Sequence, residues 1–393
     1  MADTTNGDAI NRAPTADELR ALFLLDPEIV FLNHGSFGAC PRPVFEIYQD
    51  WQRQLERQPV EFLGRRHDHL LDEARARLGL YLNADPADLI FVPNATVGIN
   101  AVARSLALAA GDEILTTDHE YGAMDYTWQH ICHKAGAYYV RCPIPLPVTD
   151  AEEVVERLWS AVTPRTRAIF LSHITSPTAL ILPVEALCRR ARDAGVLTII
   201  DGAHAPGQIP LDLTTLDADF YTGNAHKWLC APKGAAFLYA RREQQDWLEP
   251  PVISWGWPET AFARRGGWQG TRDIAAYLSI PAAIDFQAAH DWPAVRGRCH
   301  TLAREARRRL ADLTGLPPVS PDAPGWFAQM VSIPLPTAEA ETLKMRLYDE
   351  YRIEAPLIVW NGGLYIRVSF QGYNDERDLE RLLVALSALL GES

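Results

Sequence analysis

The segment TGNAHKWLCAPKG, residues 222–234, decides the fold and raises a question about one lysine. Lys227 follows the apolar run DADFY and stands among glycine, alanine and proline residues that favour a tight loop. Confining a lysine costs side-chain entropy and strips water from its ammonium group. A lone lysine at a strand end usually extends into solvent, so the rest of the chain has to explain this one.

The composition is that of an ordinary globular protein with an acidic balance. Hydrophobic residues make up 48% and charged residues 22% of the 393 positions, and the formal net charge is -13. Without a basic block, this charge argues against a nucleic-acid or anionic-membrane partner.

Six cysteines without a CxxC pair predict reduced thiols and a cytoplasmic location. No apolar run reaches the roughly 18 residues of a membrane span, and the polar start MADTTNGDAINRAP lacks the apolar core of a signal peptide.

Short apolar runs alternate with amphipathic helices from about residue 45, which predicts an α/β fold with a mostly parallel sheet covered on both faces. The runs are LIFV (89–92), EILT (113–116), AIFLSHI (168–174), VLTIID (196–201), ADFYTG (218–223) and AAFLYA (235–240). Near residue 280 the pattern changes to a long basic helix, the strands MVSIPLP and LYIRVSF, and a final helix. We therefore predict a tail and arm (1–44) packing with the small domain, a large domain (45–280) and a smaller α/β domain (281–393).

In parallel sheets ligands bind beyond the carboxyl ends of the strands, so the residues that follow these strands matter most. Ala95 and Thr96 open a helix after FVPN and would present backbone N–H groups to an anion, although such residues are usually no more than a helix cap. Asp201 is the last residue of an apolar strand, where burial disfavours a charged carboxylate unless a cation or a hydrogen-bond donor compensates it. His204 follows three residues later. Capping of the next turn is the simpler interpretation of Asp201.

Two further residues suggest a ligand with an aromatic ring and a carboxylate. Tyr121, after the strand EILTT, would lie face-on over a ring unless it is simply packed. Arg367 stands inside the apolar strand YIRVSF, where an arginine needs a carboxylate or phosphate, and a structural salt bridge is the alternative. Together with Lys227, these features describe pyridoxal phosphate and an amino acid, with the lysine forming a Schiff base and Asp201 partnering the ring nitrogen.

The chain also resembles a known family. It is similar to the isopenicillin N epimerase group, within the class V aminotransferase and cysteine desulfurase branch of fold-type I pyridoxal phosphate enzymes. The segments that carry the resemblance are FLNHGSFGACP, TDHEYGAMD, SHITSPTALILP, DGAHAPG, GNAHKWL, GTRDI and YRIEA. The resemblance spans residues 25–385. It implies the fold-type I transferase fold, with a mostly parallel seven-stranded sheet, and a homodimer with shared sites.

The resemblance also implies a role for individual residues. Lys227 would carry the cofactor and move the proton on the substrate α-carbon, while Asp201 would keep the ring nitrogen protonated. His204 would lie near the phenolic oxygen of the ring and Tyr121 would stack on the ring. The remaining implied contacts are Ala95, Thr96, Asn224 and His226 to the phosphate, Thr271 to the phosphate of the neighbouring subunit, and Arg367 to the substrate α-carboxylate, with Asn33 and His34 lining the pocket. Ser176, which we also predict to contact the cofactor, stands near the ring oxygen where this branch often has an asparagine.

The implied reaction is epimerisation at the α-carbon of an amino acid, with β-elimination from a cysteine derivative as the alternative. Inversion needs a second acid, for which Tyr121, His34 and a water are candidates. The segment EAPLIVWNGGLYIR lacks the cysteine that desulfurases of this branch use, which disfavours persulfide chemistry, and nothing indicates transamination.

A binding module without turnover and a metal enzyme are the alternatives from other classes. The histidine pair in HICH (130–133) has no acidic partner in a metal-site pattern, so we predict no metal.

Overall fold

The computed structural model describes residues 13–391, so residues 1–12 of the predicted tail and the last two residues lie outside it. The strands are β1 Val30–Phe31, β2 Leu89–Val92, β3 Glu113–Thr117, β4 Tyr138–Cys142, β5 Thr166–Ser172, β6 Leu197–Asp201, β7 Phe220–Asn224, β8 Ala236–Ala240, β9 Met330–Leu335, β10 Ile353–Glu354, β11 Leu357–Trp360 and β12 Gly363–Ser369. The α-helices are α1 Ala16–Arg20, α2 His34–Phe37, α3 Arg42–Arg57, α4 Pro59–Glu61, α5 His67–Leu82, α6 Ala95–Ser105, α7 Gly122–Ala135, α8 Ala151–Trp159, α9 Val184–Asp193, α10 Leu213–Leu216, α11 Phe262–Arg265, α12 Ala275–Leu278, α13 Ile280–Ala289, α14 Trp292–Thr314, α15 Ala340–Asp349 and α16 Glu376–Gly391.

A central sheet organises the larger part of the described chain. Its seven strands within residues 13–391 lie in the order β2-β8-β7-β6-β5-β3-β4, and β8 alone runs antiparallel to its neighbours. The predicted mostly parallel, seven-stranded sheet is therefore confirmed. The carboxyl ends of β2, β3, β5, β6 and β7 consequently meet at one edge, where the ligand was expected.

Alternate residues of each central strand pack into two separate cores. Ile199 of β6 belongs to the core under α6 and α7, whereas its neighbour Ile200 belongs to the core that contains α5 and α9. Successive side chains of a strand point to opposite faces, so a strand covered on both sides needs apolar residues at every position. This explains the continuous apolar runs of the sequence.

The edge strand β4 is the strand that the apolar runs did not reveal. It pairs with β3 in parallel, Glu113 opposite Tyr138 through Thr117 opposite Cys142. Only Cys142 of its residues is buried, because an edge strand leaves part of its surface in solvent. The segment YYVRC therefore lacks the signal that marked the other strands.

The C-terminal part contains an antiparallel sheet in the order β11-β12-β9, packed with α14. The N-terminal segment reaches this part of the molecule, since β1 pairs with β10 and Asn33 bridges to Ser369. The side chain of Arg20 lies 3.1 Å from that of Asp378 at the start of α16. These contacts agree with an arm that packs with the small domain. The domain boundaries at 44/45 and 280/281 stay predictions.

No helix within residues 13–391 combines the length and the apolar character that crossing a membrane requires. The six cysteines are free thiols. The cytoplasmic location stays a prediction.

We expect Gly202→Ala to unfold the end of β6, because a Cβ there would lie 2.2 Å from the hydroxyl oxygen of Tyr221. Tyr221 is fully buried and hydrogen-bonded to His173 at 2.9 Å, so it cannot move aside freely. The free energy of unfolding should fall by about 1–3 kcal/mol in urea titration. Gly297→Ala, in α14 with no atom within 4 Å of the new Cβ, is the control and should be neutral or slightly stabilising. Equal behaviour of the two variants would contradict the clash.

Candidate active site

A cavity of about 350 Å³ lies at the carboxyl edge of the central sheet, and we call it the sheet-edge cavity. Ser172, Asp201 and Asn224 end the neighbouring strands β5, β6 and β7 there. The lining residues are Ser36, Phe37, Pro93, Asn94, Ala95, Thr96, Tyr121, Ser172, Ile174, Ser176, Asp201, Ala203, His204, Asn224, His226, Lys227 and Gly234. The fold thus brings nine of the sequence-predicted residues together: Lys227, Asp201, Tyr121, His204, Ala95, Thr96, Ser176, Asn224 and His226.

Lys227 lies in the turn after β7 and keeps part of its surface open to the cavity. Burial, reinforced by the positive charge of Arg367, lowers the pKa of Lys227 to about 7, although the carboxylate of Asp201 opposes this. Its Nζ lies 3.3 Å from Nε2 of His204, and burial holds the pKa of His204 well below its ordinary value. Near neutral pH a substantial fraction of Lys227 is therefore an uncharged amine that can accept a proton, which answers why it is placed here.

Asp201 is a buried carboxylate that lacks a permanent cationic partner. Its Oδ1 accepts a hydrogen bond from the backbone N–H of Ala203 at 2.9 Å, and it forms no salt bridge within the described part of the chain. Burial raises the pKa of Asp201, while the charge of Lys227 lowers it. A cationic N–H group in the cavity would offset the cost of burying this charge.

The N-terminus of α6 supplies an anion-binding corner. The backbone N–H of Ala95 donates to Oδ1 of Asn224 at 2.8 Å, and Asn94 caps the helix by accepting from the N–H of Val97 at 2.9 Å. First-turn amides and the helix dipole both favour negative charge at this place. Nδ1 of His226 lies 3.0 Å from the carbonyl oxygen of Ala235, which leaves its Nε2 for the cavity. A phosphate group fits this corner.

Arg367 of β12 is a buried guanidinium held by serine oxygens. Nη1 donates to the carbonyl and hydroxyl oxygens of Ser176 at 2.8 and 3.0 Å, and Nη2 donates to the hydroxyl of Ser36 at 3.0 Å. Its Nε has no hydrogen-bond partner within the described residues. Burial lowers the pKa of Arg367 to about 10, so it stays charged at neutral pH. A carboxylate would satisfy both the charge and the unpaired Nε.

A second cavity of about 440 Å³, the side cavity, adjoins the first. The two cavities share Tyr121 and Ser176 as lining residues, and Arg367 lines the side cavity. Its walls also include Arg141, an arginine half exposed to solvent, and Trp360. Arg367 thus lines the side cavity and donates hydrogen bonds to Ser176, a residue that both cavities share.

Asn33 and His34 do not line the sheet-edge cavity, contrary to what the resemblance implied. His34 is fully buried, with Nδ1 2.9 Å from the hydroxyl of Tyr373 and Nε2 3.0 Å from the carbonyl oxygen of Lys227. The Nδ2 of Asn33 donates to Glu354 at 2.8 Å. The physical reason is the short helix α2, which turns His34 toward the core and presents other residues to the cavity.

Those other residues, Ser36 and Phe37, were missed by the sequence analysis although they belong to the quoted segment FLNHGSFGACP. Gly38 follows them at a φ of 70°, and a Cβ there would meet the carbonyl oxygen of His226 at 2.0 Å. Only glycine allows the arm to approach the lysine loop this closely. A φ requirement of this kind is not visible in a single sequence.

Glu120 is a second residue that the sequence analysis passed over. It is buried beside the side cavity and accepts hydrogen bonds from the N–H and hydroxyl of Ser172 and from the hydroxyl of Thr117. Burial raises the pKa of Glu120 to about 7. The acid therefore holds a proton over part of the neutral range, directly before Tyr121 in the chain.

Thr271 is exposed and does not line the sheet-edge cavity of its own chain. Its predicted contact lies across a subunit interface and stays a prediction. Among residues 13–391, no group of three or more His, Cys, Asp or Glu side chains is arranged to hold a metal ion.

Comparison with known proteins gives first the class of the chain and then its family. The solved structure of a C-DES mutant with glycine covalently linked to its PLP cofactor matches with a TM-score of 0.82 and 25% identity, covering 95% of this chain and 99% of that one. The chain is an α/β enzyme that depends on pyridoxal phosphate, and the uncompensated Asp201 and the anion-binding corner fit this cofactor. The sequence model of the aminotransferase class-V family matches residues 41–382, and the chain belongs to this family.

Two sequence relatives differ in the reaction for which they are named. An isopenicillin N epimerase of Amycolatopsis lactamdurans is 41% identical, over 93% of this chain and 96% of its own length. A probable chloroplastic L-cysteine desulfhydrase of Arabidopsis thaliana is 29% identical, over 93% of this chain and 84% of its own length. The recognised resemblance to an epimerase-like member of the class V family is thereby confirmed.

We predict that in the cofactor-free protein Lys227 titrates near pH 7 rather than near its ordinary value of 10.5. Arg367→Gln removes a positive charge and should raise this midpoint, whereas Asp201→Asn removes a negative charge and should lower it. The measurement is the rate of acetylation of Lys227 against pH, followed by peptide mass spectrometry. A midpoint that both variants leave unchanged would contradict the electrostatic origin of the shift.

Proposed function

We propose that this protein is an epimerase that inverts the α-carbon of an amino acid with a long side chain. The observation that carries the proposal is Arg367, a buried guanidinium whose partners within residues 13–391 are serine oxygens and whose Nε is unpaired. The α-carboxylate of the substrate would bind it through charge-assisted hydrogen bonds, each contributing roughly 1.5–3 kcal/mol. The α-carbon would then lie near Lys227, at the junction of the two cavities.

The residues of the sheet-edge cavity would hold the cofactor as the resemblance implied. Ala95, Thr96, Asn224 and His226 would bind its phosphate, and Asp201 would accept a hydrogen bond from its ring nitrogen. His204 and Ser176 would lie near its phenolic oxygen, and the ring of Tyr121 would cover the cofactor ring. When bound, pyridoxal phosphate supplies an electron-withdrawing ring that acidifies the α-hydrogen of an amino acid joined to it.

Lys227 would move the proton. With a pKa lowered to about 7, its Nζ accepts the α-hydrogen on one face of the substrate near neutral pH. Inversion requires a proton from the opposite face, and we assign this donation to the hydroxyl of Tyr121, which lines both cavities and is about half exposed. His34 is a poorer candidate, because both of its ring nitrogens are engaged behind the lysine loop.

The side cavity supports a substrate with a long side chain. A substrate held at Arg367 has the cofactor on one side, so its side chain extends into the adjoining volume of about 440 Å³. The side chain of cysteine would leave most of this volume empty. The 41% identity to an isopenicillin N epimerase points the same way, whereas the more distant likeness to a desulfhydrase makes β-elimination the second candidate.

Reaction in deuterated water with a panel of amino acids separates the two functions. We expect the wild-type protein to introduce deuterium at the α-carbon of a long-chain substrate and to return both configurations. Lys227→Ala should lower this exchange by about 10²–10⁴-fold or more, since it loses the general base. Lys134→Ala, an exposed lysine of α7, is the control and should exchange at the wild-type rate. Chiral chromatography and mass spectrometry give both readouts, and release of pyruvate with a thiol would instead establish β-elimination.

We further propose a homodimer in which Thr271 of each chain contacts the phosphate bound by the other. Thr271 is exposed, and Trp255, on the same connection between β8 and α12, is 87% exposed, as expected of an apolar surface that a partner covers. Mixing Lys227→Ala with Thr271→Ala should then restore activity, because one site of the mixed dimer has both residues. Activity after mixing that never exceeds the sum of the two variants would refute the shared site.

A further inference from the structure

Trp228 directly follows the lysine and contacts the histidine that faces the cofactor. The indole Nε1 of Trp228 donates to Nδ1 of His204 at 3.3 Å. We propose that Trp228 is a positioning residue that fixes the tautomer of His204, so that Nε2 carries the hydrogen and donates it to the phenolic oxygen of the cofactor. This inference rests on the proposed placement of the cofactor, and it adds a role for a residue that touches neither cofactor nor substrate.

The tautomer is set by which groups are able to donate. An indole nitrogen is a donor only, so Nδ1 of His204 has to act as the acceptor and cannot carry a hydrogen. The titratable and charged groups around His204 are Lys227, Arg367 and His34, and burial together with these neighbours keeps the imidazole neutral. A neutral imidazole carries one hydrogen, which therefore resides on Nε2. Nε2 lies 3.3 Å from Nζ of Lys227, on the side of the cavity.

The donor is held in place by its surroundings. Trp228 is fully buried, its ring lies 5.0 Å from that of His34, and its carbonyl oxygen accepts from Nε2 of Gln287 at 2.8 Å. His204 is buried as well, and its carbonyl oxygen accepts from Nε2 of Gln208 at 2.8 Å. Both residues of the Trp228–His204 hydrogen bond therefore lie in the protein interior.

The consequence concerns the charge on the cofactor. An Nε2–H group stabilises the anionic phenolic oxygen, whereas the other tautomer would direct a lone pair at it. A hydrogen-bond donor on this oxygen would withdraw electrons from the nitrogen that joins the cofactor to Lys227, which makes that nitrogen less basic. The colour of the bound cofactor changes when this nitrogen loses its proton. Losing the donor should therefore raise the pH of the colour change.

The chain offers a matched control. Trp128 in α7 is also fully buried, but its indole N–H has no hydrogen-bond partner within the region that the structure describes. Trp128→Phe and Trp228→Phe thus remove similar volumes from buried sites, and only the second removes a hydrogen bond to His204. The comparison separates the positioning role from a general loss of packing.

The experiment uses the holoenzyme with two readouts, the ¹⁵N NMR tautomer signature of His204 and the pH midpoint of the visible absorption band. Wild type and Trp128→Phe should show the Nε2–H tautomer and the same midpoint. Trp228→Phe should shift the tautomer toward Nδ1–H and raise the midpoint by about 0.4–1 pH units, the equivalent of one hydrogen bond. In the His204→Ala background, Trp228→Phe should leave the midpoint unmoved.

An unchanged tautomer in Trp228→Phe, or an equal shift in Trp128→Phe, would overturn the proposal. So would a shift that persists without His204, because Trp228 would then act through packing alone. A visible band of the expected kind with no exchange at the α-carbon would instead refute the proposed epimerase. The two failures are therefore distinguishable.

Discussion

Removal of water from three charged groups governs this site. Lys227 and Arg367 are potential cations and Asp201 is the potential anion, and burial is the largest influence on the pKa of each. A buried charge without an opposite charge is costly. The lysine avoids this cost by giving up its proton near neutral pH, whereas the arginine remains charged. Arg367, to which we assign substrate binding in the proposed function, therefore keeps its positive charge, whereas Lys227 can exchange a proton near neutral pH.

These charges come from separate parts of the chain. Asp201 ends strand β6 and Lys227 lies in the turn after β7 of the central sheet, while Arg367 lies on β12 of the three-stranded sheet. The arm connects them, because Ser36 accepts a hydrogen bond from Arg367 and His34 contacts the carbonyl oxygen of Lys227. The pairing of β1 with β10 fixes this arm to the C-terminal part. The geometry of the site consequently depends also on how the arm packs against the C-terminal part, through residues that do not line the cavities.

The sequence predicted the sheet and the lysine loop better than it predicted the arm. Buried parallel strands need apolar residues on both faces, and this leaves a continuous pattern that is easy to detect. Strand β4 escaped because its edge position tolerates exposed residues. The segment that contains Asn33 and His34 reaches the sheet-edge cavity through Ser36 and Phe37 instead. Which of its side chains face the cavity depends on the four-residue helix α2, whose rotation no local pattern specifies.

The proposed mechanism separates proton transfer at Lys227 from the step that decides the product. Lys227, Asp201 and His204, to which we assign proton transfer at the α-carbon in the proposed function, all line the sheet-edge cavity. The fate of the substrate after proton removal depends on whether an acid stands on the opposite face and on whether a leaving group has room to depart. In the proposed mechanism those conditions are set in the side cavity, whose walls include residues of α7, β4, β11 and β12. Substitutions there would then change the outcome of the reaction while Lys227 kept its proposed role as the base.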